Sequence, residues 1–598
     1  MRSATAIACV SVGLVVLAAG TSLSVPPAPR EDLLGGTRTR YLAHRPGMIN
    51  VPRVPSTVAT TDTCKALVLL VDFPDPRWGG QRDTSHFREM LFGDDQASMK
   101  SYFEENSYGA FSITGDIEGW LTSSCSYRDI VNRDSVAGTA DDYGLDTTAA
   151  AIDEAICGFP LNIWGLVVEA VSAAGTNIDL SLYDNDGPDG LPSSGDDDGY
   201  IDALFIVHPG QGAEEYGGLA QGVNYMWSLQ SDLDYYEPTR GTEIQGVRVG
   251  PFVLVPEMGQ IGVYAHEFCH LLGLPDLYNT ETDAAVVGNL CLMDQGAWNG
   301  PQQSLGSVPS HLSAPMKYFL GWVEPAEVCF DCGGSYKIEG ATIEPHGTSP
   351  HPYRVLRNPG GPDWTPDGSG SGEYFMLENR QMGHGYFESY LPYSGMLIWK
   401  VDESQADNND PSRRLAEVIQ ADGEVIDPDI HESSSPLRHV PGEPSDFWPG
   451  ILDKRDFTPT TVPRSDLAGG RHSGVSVEDI DESANGSISA TILVGVPKKG
   501  VTYAYPNPYK LGGASPMRIV FVPDPGPDVP HPGTFEVTIF DLEGNFVRRL
   551  ESAGEVYREG YAEWNGQDEG GNRVDTGLYF YHVTSSGQQA TGVLGVTK

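Results

Sequence analysis

The segment that most restricts this chain is Ala265-His266-Glu267-Phe268-Cys269-His270-Leu271-Leu272-Gly273-Leu274-Pro275-Asp276. His266 and His270 stand four apart, so a helix projects both imidazoles from one face, one turn apart. That separation suits two nitrogens of a tetrahedral zinc site, each about 2.0–2.1 Å from the metal. Glu267 falls beside such a metal without ligating it, where a general base must stand to take a proton from the water that zinc activates. Gly273 can adopt the left-handed conformation that ends a helix. Pro275 stiffens the return, and Asp276 can swing back as a third, oxygen ligand. Three protein ligands leave the fourth position open to water, which marks a catalytic rather than a structural zinc. With 14 His and 82 Asp plus Glu in 598 residues, chance supplies the His-Glu-x-x-His pattern only about 0.04 times, which weighs against a merely buried amphipathic helix. Met293 follows in the run 289–296 (NLCLMDQG). A methionine in a tight turn beneath the metal is the floor of the metzincin arrangement.

Charge narrows the partners. Lys and Arg number 37, for a formal net charge of −45. So acidic a surface repels a phosphate backbone and anionic lipid, which excludes nucleic acid and acidic membranes as partners. It suits an extracellular protein and leaves carboxylates free for hard cations. Gly 71 and Pro 44 imply many turns and favour β-rich architecture. At the N-terminus, Arg2 precedes an apolar or small run over 4–20, and Pro26, Pro27 and Pro29 follow. This predicts a secretory signal peptide over 1–24 rather than a membrane anchor. No later segment is apolar enough to span a bilayer after signal removal. Of the 8 cysteines, Cys9 leaves with the signal, and the odd remainder leaves at least one thiol unpaired. Cys329-x-x-Cys332 is half a zinc knuckle without its second half, so a local disulfide or free thiols are expected. Cys64 could cap a metal in a latent form, although disulfide formation is its commoner fate in an exported protein.

The chain divides into the signal peptide 1–24, a Pro- and Thr-rich pro-segment or linker 25–63, a catalytic domain 64–325, a β-rich domain 326–497 and a tail 501–598. Residues 66–73 (ALVLLVDF) and 201–207 read as buried strands. Residues 83–103 have helical spacing, and 149–174 are mostly helical with breaks near Gly158 and Pro160. An acidic stretch carries Asp184, Asp186, Asp189, Asp196, Asp197, Asp198 and Asp202 among Gly187, Gly190 and Gly199. It resembles a calcium loop, with Asp184, Asp186, Asp198 and Asp202 as ligands, although no Glu closes an EF-hand spacing. Glu443 and Asp446 are a weaker second ion site, and His208, Glu214 and Glu215 are candidates to line the cleft.

The ordered set of segments resembles the immune inhibitor A-like family of secreted bacterial metallopeptidases. The likeness runs from Lys65 to Val494 through 67–75 (LVLLVDFPD), 107–115 (SYGAFSITG), 183–187 (YDNDG), 202–215 (DALFIVHPGQGAEE) and 262–278 (GVYAHEFCHLLGLPDLY). It continues through 292–300 (LMDQGAWNG), 311–314 (HLSA), 320–325 (LGWVEP), 373–380 (EYFMLENR) and 395–404 (GMLIWKVDES). The resemblance implies a zinc endopeptidase with ligands His266, His270 and Asp276 and with Glu267 as base. Two departures stand out: Cys269 occupies a position where a small residue is usual, and the acidic loop after Asp184 is longer than usual. The tail, through 505–509 (YPNPY), 537–544 (VTIFDLEG), 547–550 (VRRL), 563–568 (EWNGQD) and 577–581 (GLYFY), resembles immunoglobulin-like modules that sort exported proteins or attach them to the surface.

The expected fold is thus multidomain: an α+β zincin catalytic domain, metzincin-like, followed by all-β sandwich domains. The expected activity is hydrolysis of extracellular proteins with Zn2+ and Ca2+ bound. The expected location is extracellular, with export machinery or a cell-surface anchor as partner of the tail. The competing reading is a surface adhesin or binding scaffold with a vestigial metal site; the complete ligand and base set argues against it.

Overall fold

The computed structural model describes residues 62–598 apart from 76–78, 132–142, 146–157, 186–190, 195–196, 217–224, 236–241, 330–335, 359–360, 365–369, 371, 424–440, 460, 495–500, 506, 513–515, 523–534, 557–558 and 586–587. The signal peptide and the pro-segment up to residue 61 lie outside the described residues. Asp62 and Thr63, expected to end the pro-segment, instead open the first strand.

The N-terminal half is three-layered. Strands β1 (Asp62–Asp72), β2 (Phe111–Thr122), β3 (Ala203–His208) and β4 (Leu229–Asp232) belong to one sheet. A short hairpin, β5 (Glu243–Ile244) and β6 (Val247–Arg248), precedes its last member, β7 (Pro251–Pro256). The order is β2-β1-β3-β7-β4, parallel except for the antiparallel edge strand β4. The apolar run of β1 splits by period two. Ala66, Val68 and Leu70 face one core with helices α1 (Thr84–Phe92) and α2 (Met99–Asn106), while Leu67, Leu69 and Val71 face another with α3 (Tyr127–Ile130) and α4 (Ile163–Ala174). A parallel strand covered on both faces needs such a continuous apolar sequence. The helical spacing of 83–103 resolves into two helices, because Gly93 caps α1 and the Ser98 side chain caps the N-terminus of α2. Within 149–174, α4 begins at Ile163, after the predicted breaks, and 149–157 lie outside the described residues.

Helix α5 (Ile261–Leu271) packs on the same face as α1 and α2, and α6 (Ala314–Phe319) follows it. Next come β8 (Ala326–Val328), β9 (Lys337–Ile343), β10 (Tyr353–Val355), β11 (Glu373–Arg380), β12 (Gly395–Asp402), β13 (Ala416–Val418), β14 (Val475–Glu482) and β15 (Ile488–Val494). They form two sheets, β13-β12-β11-β10-β8 and β14-β15-β9. The first is buried on both faces. Tyr374, Met376, Leu397, Trp399 and Val401 enter the core that holds α5, while the alternate residues Phe375, Leu377, Met396 and Ile398 pack against the second sheet. The β-rich region 326–497 therefore shares a core with the domain before it.

The tail has strands β16 (Val501–Tyr505), β17 (Tyr509–Lys510), β18 (Met517–Val522), β19 (Glu536–Phe540), β20 (Phe546–Glu551), β21 (Gly554–Val556), β22 (Glu559–Trp564), β23 (Gly577–Ser585) and β24 (Gln588–Thr597). They make two sheets, β16-β18-β22-β21 and β17-β24-β23-β19-β20, over one core around Trp564, Tyr581 and Val537. Among the described residues no helix is long and apolar enough to cross a membrane.

The cysteines depart from expectation at one position. Cys125 and Cys329 each take part in a disulfide. Cys64 is a free thiol, buried on β1 among core side chains rather than bonded to another cysteine or held at a metal. Its alternation with Ala66 and Val68 puts it on the apolar face of β1, in the same core as the free thiols Cys269 and Cys291. Cys269 and Cys291 are also free and buried.

Candidate metal centre

Helix α5 is buried along its whole length, its polar His266, Glu267 and His270 included, so those polar groups need partners inside the protein. Gly262 lets it approach the following loop: a Cβ there would lie 2.0 Å from the Ala297 carbonyl oxygen. The Gly262 N–H donates to Gly306 O at 2.8 Å. The helix ends as the sequence predicts. Gly273 has φ +89°, its N–H donates to His270 O at 3.0 Å, and the Leu274 N–H reaches back to Cys269 O at 3.0 Å. This pair of bonds is a Schellman closure, which requires the left-handed residue. It turns the chain so that Asp276 faces the helix it has just left.

His266, His270 and Asp276 converge, with one ligand atom from each lying within 4.8 Å of the others. The Nε2 atoms of His266 and His270 lie 3.0 and 3.4 Å from Asp276 Oδ1. Each ring is held from behind through Nδ1, to Leu292 O at 2.9 Å for His266 and to Leu274 O at 2.8 Å for His270. With Nδ1 bonded to a carbonyl, the proton sits there and the Nε2 lone pair is free for a metal. Burial by itself would raise the Asp276 carboxyl, but the neighbouring His270 and His266 outweigh it and hold the group down at about 2. Asp276 Oδ2 is buried without a hydrogen-bond partner. Two imidazole nitrogens and an oxygen-donating carboxylate, one of its atoms unsatisfied inside the protein, fit a zinc ion and leave a coordination position for water. Glu267 is buried beside His266 on the same helix.

Met293 is buried, and its carbonyl accepts the Leu277 N–H at 2.8 Å, which ties the methionine segment to the return that carries Asp276. Sequence reasoning missed Asp294, the next residue. Its Oδ2 accepts the N–H groups of Val286, Val287 and Gly288 at 2.8, 2.8 and 2.9 Å, and its Oδ1 accepts that of Gln295 at 2.7 Å. Burial pushes its pKa up to about 6 against these four bonds. A carboxylate directly after the methionine was the available signal. Leu292, whose role is its carbonyl, left no signal in side-chain chemistry.

The remaining predicted site residues are not gathered in this way. The trio of His266, His270 and Asp276 is the only such ligand group among the described residues. Asp184 and Asp202 are buried, but Asp184 accepts from Gly199 N at 3.2 Å and Ser193 Oγ at 3.0 Å, and Asp202 accepts from Asn185 N at 3.0 Å. Asp198 accepts from Tyr200 N at 2.8 Å. Asp186, Asp189 and Asp196 lie outside the described residues. Asp446 Oδ2 accepts the N–H groups of Gly442 and Glu443, both at 2.8 Å, and so closes a turn. Glu215 lines a polar cleft with Gln81, Arg82, Gln211, Gln260 and Trp298, at the N-terminal end of α5, and none of His266, His270 and Asp276 lines it. His208 and Glu214 are fully buried and do not line that cleft.

Residues 54–323 match the immune inhibitor A peptidase M6 catalytic domain. Vibrio cholerae pre-pro-metalloprotease PrtV is 30% identical over 294 residues, which cover 43% of this chain and 30% of PrtV. Immune inhibitor A of Bacillus thuringiensis subsp. alesti is 29% identical over 311 residues, 45% of this chain and 42% of that protein. The chain thus spans less than half the length of these relatives. A solved structure of PorZ, a surface component of the type-IX secretion system of Porphyromonas gingivalis, is 18% identical and covers 34% of this chain and 20% of that one. Its TM-score is 0.12.

Proposed function

We propose that this chain is a secreted zinc-dependent endopeptidase of the M6 type, cleaving peptide bonds of extracellular proteins. The observation that carries the reading is the convergence of His266, His270 and Asp276, inside the segment that matches the M6 catalytic domain. His266, His270 and Asp276 would hold a zinc ion, which when bound would supply Lewis-acid polarisation of a carbonyl and a lowered pKa for a water. The chain's own residues do the rest. Leu292 O and Leu274 O fix the two imidazoles by their Nδ1 protons. Glu267 takes the proton of the attacking water and returns one to the leaving amine. Met293 and Gly273 support the site from below, in the manner of a metzincin. Calcium is the second proposed ion, bound near the buried carboxylates of Asp184 and Asp202. Calorimetric titration with calcium chloride, with and without Asp184→Asn, tests that part alone. The tail is proposed as an immunoglobulin-like export or attachment module, tested by deleting 501–598 in the native host and following secretion and surface retention.

The catalytic test is Glu267→Ala. That variant keeps its zinc and its fold while casein cleavage falls by about 10²–10⁴-fold, the usual contribution of a general acid–base. Cleavage by the variant at the parent rate, or a parent protein insensitive to chelator, would refute the mechanism.

A further inference from the structure

The floor of the metal centre is a short peptide, and part of what holds it comes from outside the matched domain. Arg380, the last residue of β11, is fully buried. Its Nη1 donates to Leu290 O at 2.8 Å. Its Nε and Nη2 form a two-pronged pair with Glu388, at 2.7 Å to Oε2 and 2.6 Å to Oε1. Glu388 Oε1 also accepts the His311 N–H at 3.4 Å, and His311 O accepts the Leu292 N–H at 3.3 Å. The carbonyl of that same Leu292 receives the His266 Nδ1 proton. Two chains of bonds thus run from one guanidinium to the peptide that orients a metal ligand, one through Leu290 and one through Glu388 and His311. Nearby, Glu378 accepts the N–H groups of Ala314 and the Trp399 indole, at 2.9 and 2.6 Å.

We infer that Arg380, with Glu388, is a positioning residue for zinc: it sets the Leu290–Leu292 peptide and through it the direction of the His266 ring. Partners behind a metal-bound histidine typically control metal affinity by 10–100-fold, and a rigid, bidentate guanidinium suits that task better than a lysine. The functional unit then extends beyond the matched segment, to at least residue 388. The inference rests on the zinc reading above.

The test measures zinc itself. Full-length parent, Arg380→Lys, the double variant R380M/E388M and the control Lys400→Met are loaded with zinc and titrated with a chromogenic chelator, and the zinc-free forms are melted in parallel. Replacing a buried ion pair by apolar side chains of similar volume often leaves stability intact, so the double variant keeps the test open where Arg380→Lys is too unstable to purify. Lys400 pairs with Glu417 on the same sheet and serves as the control. The expected result is a zinc dissociation constant raised about 10-fold in both Arg380 variants, with near-parent melting of the zinc-free double variant and no change in Lys400→Met. Folded Arg380 variants that hold zinc as tightly as the parent overturn the inference. A parent chain that binds no zinc overturns the zinc reading itself, and this inference falls with it.

Discussion

Two five-stranded sheets follow the metal centre, and they bury themselves in opposite ways. The sheet built on β11 and β12 gives one face to the core around α5 and the other to a second sheet. The sheet built on β23 and β24 closes a core with its own partner sheet and with nothing else in the described residues. A strand covered on both sides must bury every position, and 373–380 does so, with its charged Glu378 and Arg380 paired to each other at 3.4 Å. A strand covered on one side alternates, as β19 does, where Val537 and Ile539 are buried and the residues between and beside them are partly exposed. The first sheet is thus a structural part of the candidate enzyme, and the tail is an appendage.

The severest challenge to that contrast is to cut the chain. A piece ending at 325 leaves the apolar neighbours of Tyr374, Met376 and Trp399 exposed, and should fail to fold or bind zinc. A piece ending at 498 should melt and bind zinc like the full chain; calorimetry and zinc titration check both. Next come two fully buried tryptophans, Trp399 and Trp564. Truncation of either to Ala should cost about 3–5 kcal/mol. In Trp399→Ala the loss falls on the transition that releases zinc, whereas in Trp564→Ala it falls on a tail transition and casein cleavage survives. A single transition lost in both variants would show that the two sheets depend on each other.

A smaller effect is set by pH. Burial pushes Glu214 up to about 7 despite the bonds it accepts from Ser228. A raised folded-state pKa means that its contribution is fully present below its unfolded value and is lost as pH rises through about 7. The parent should therefore lose up to about 3 kcal/mol across that window relative to Glu214→Gln. The shifted carboxyls of the tail, Asp541 and Asp568, are lowered instead, so the tail transition should stay level there. Chemical denaturation at several pH values reads both. The smallest effect expected is at Gly273, where Ala at φ +89° should cost about 1–2 kcal/mol, measured by thermal melting.

The legible parts of this molecule were local. Four-residue spacing on a helix, a left-handed glycine and an acid three residues later determine one geometry, and His266, His270, Gly273 and Asp276 adopt it. The strand at 66–73 was equally clear because an apolar run has few other uses. The acidic loop shows the limit. Its carboxylates lie among turns, where spacing does not set direction, and in the described part they accept backbone N–H and hydroxyl groups. Cys64 looked like half of a disulfide because composition cannot tell a core thiol from a bonded one. The shared core of β11 and β12 and the reach of Arg380 to Leu290 were not legible, since both depend on which segments meet across long stretches of chain.

Arg380 lies 90 residues after the carbonyl it grips. At about 5–20 residues per second, that interval takes roughly 5–20 s to synthesise. Throughout it the two histidines already exist on the nascent chain while the brace beneath one of them does not. Chain order alone therefore postpones a fully braced candidate metal centre until well over half of the 598 residues have been made.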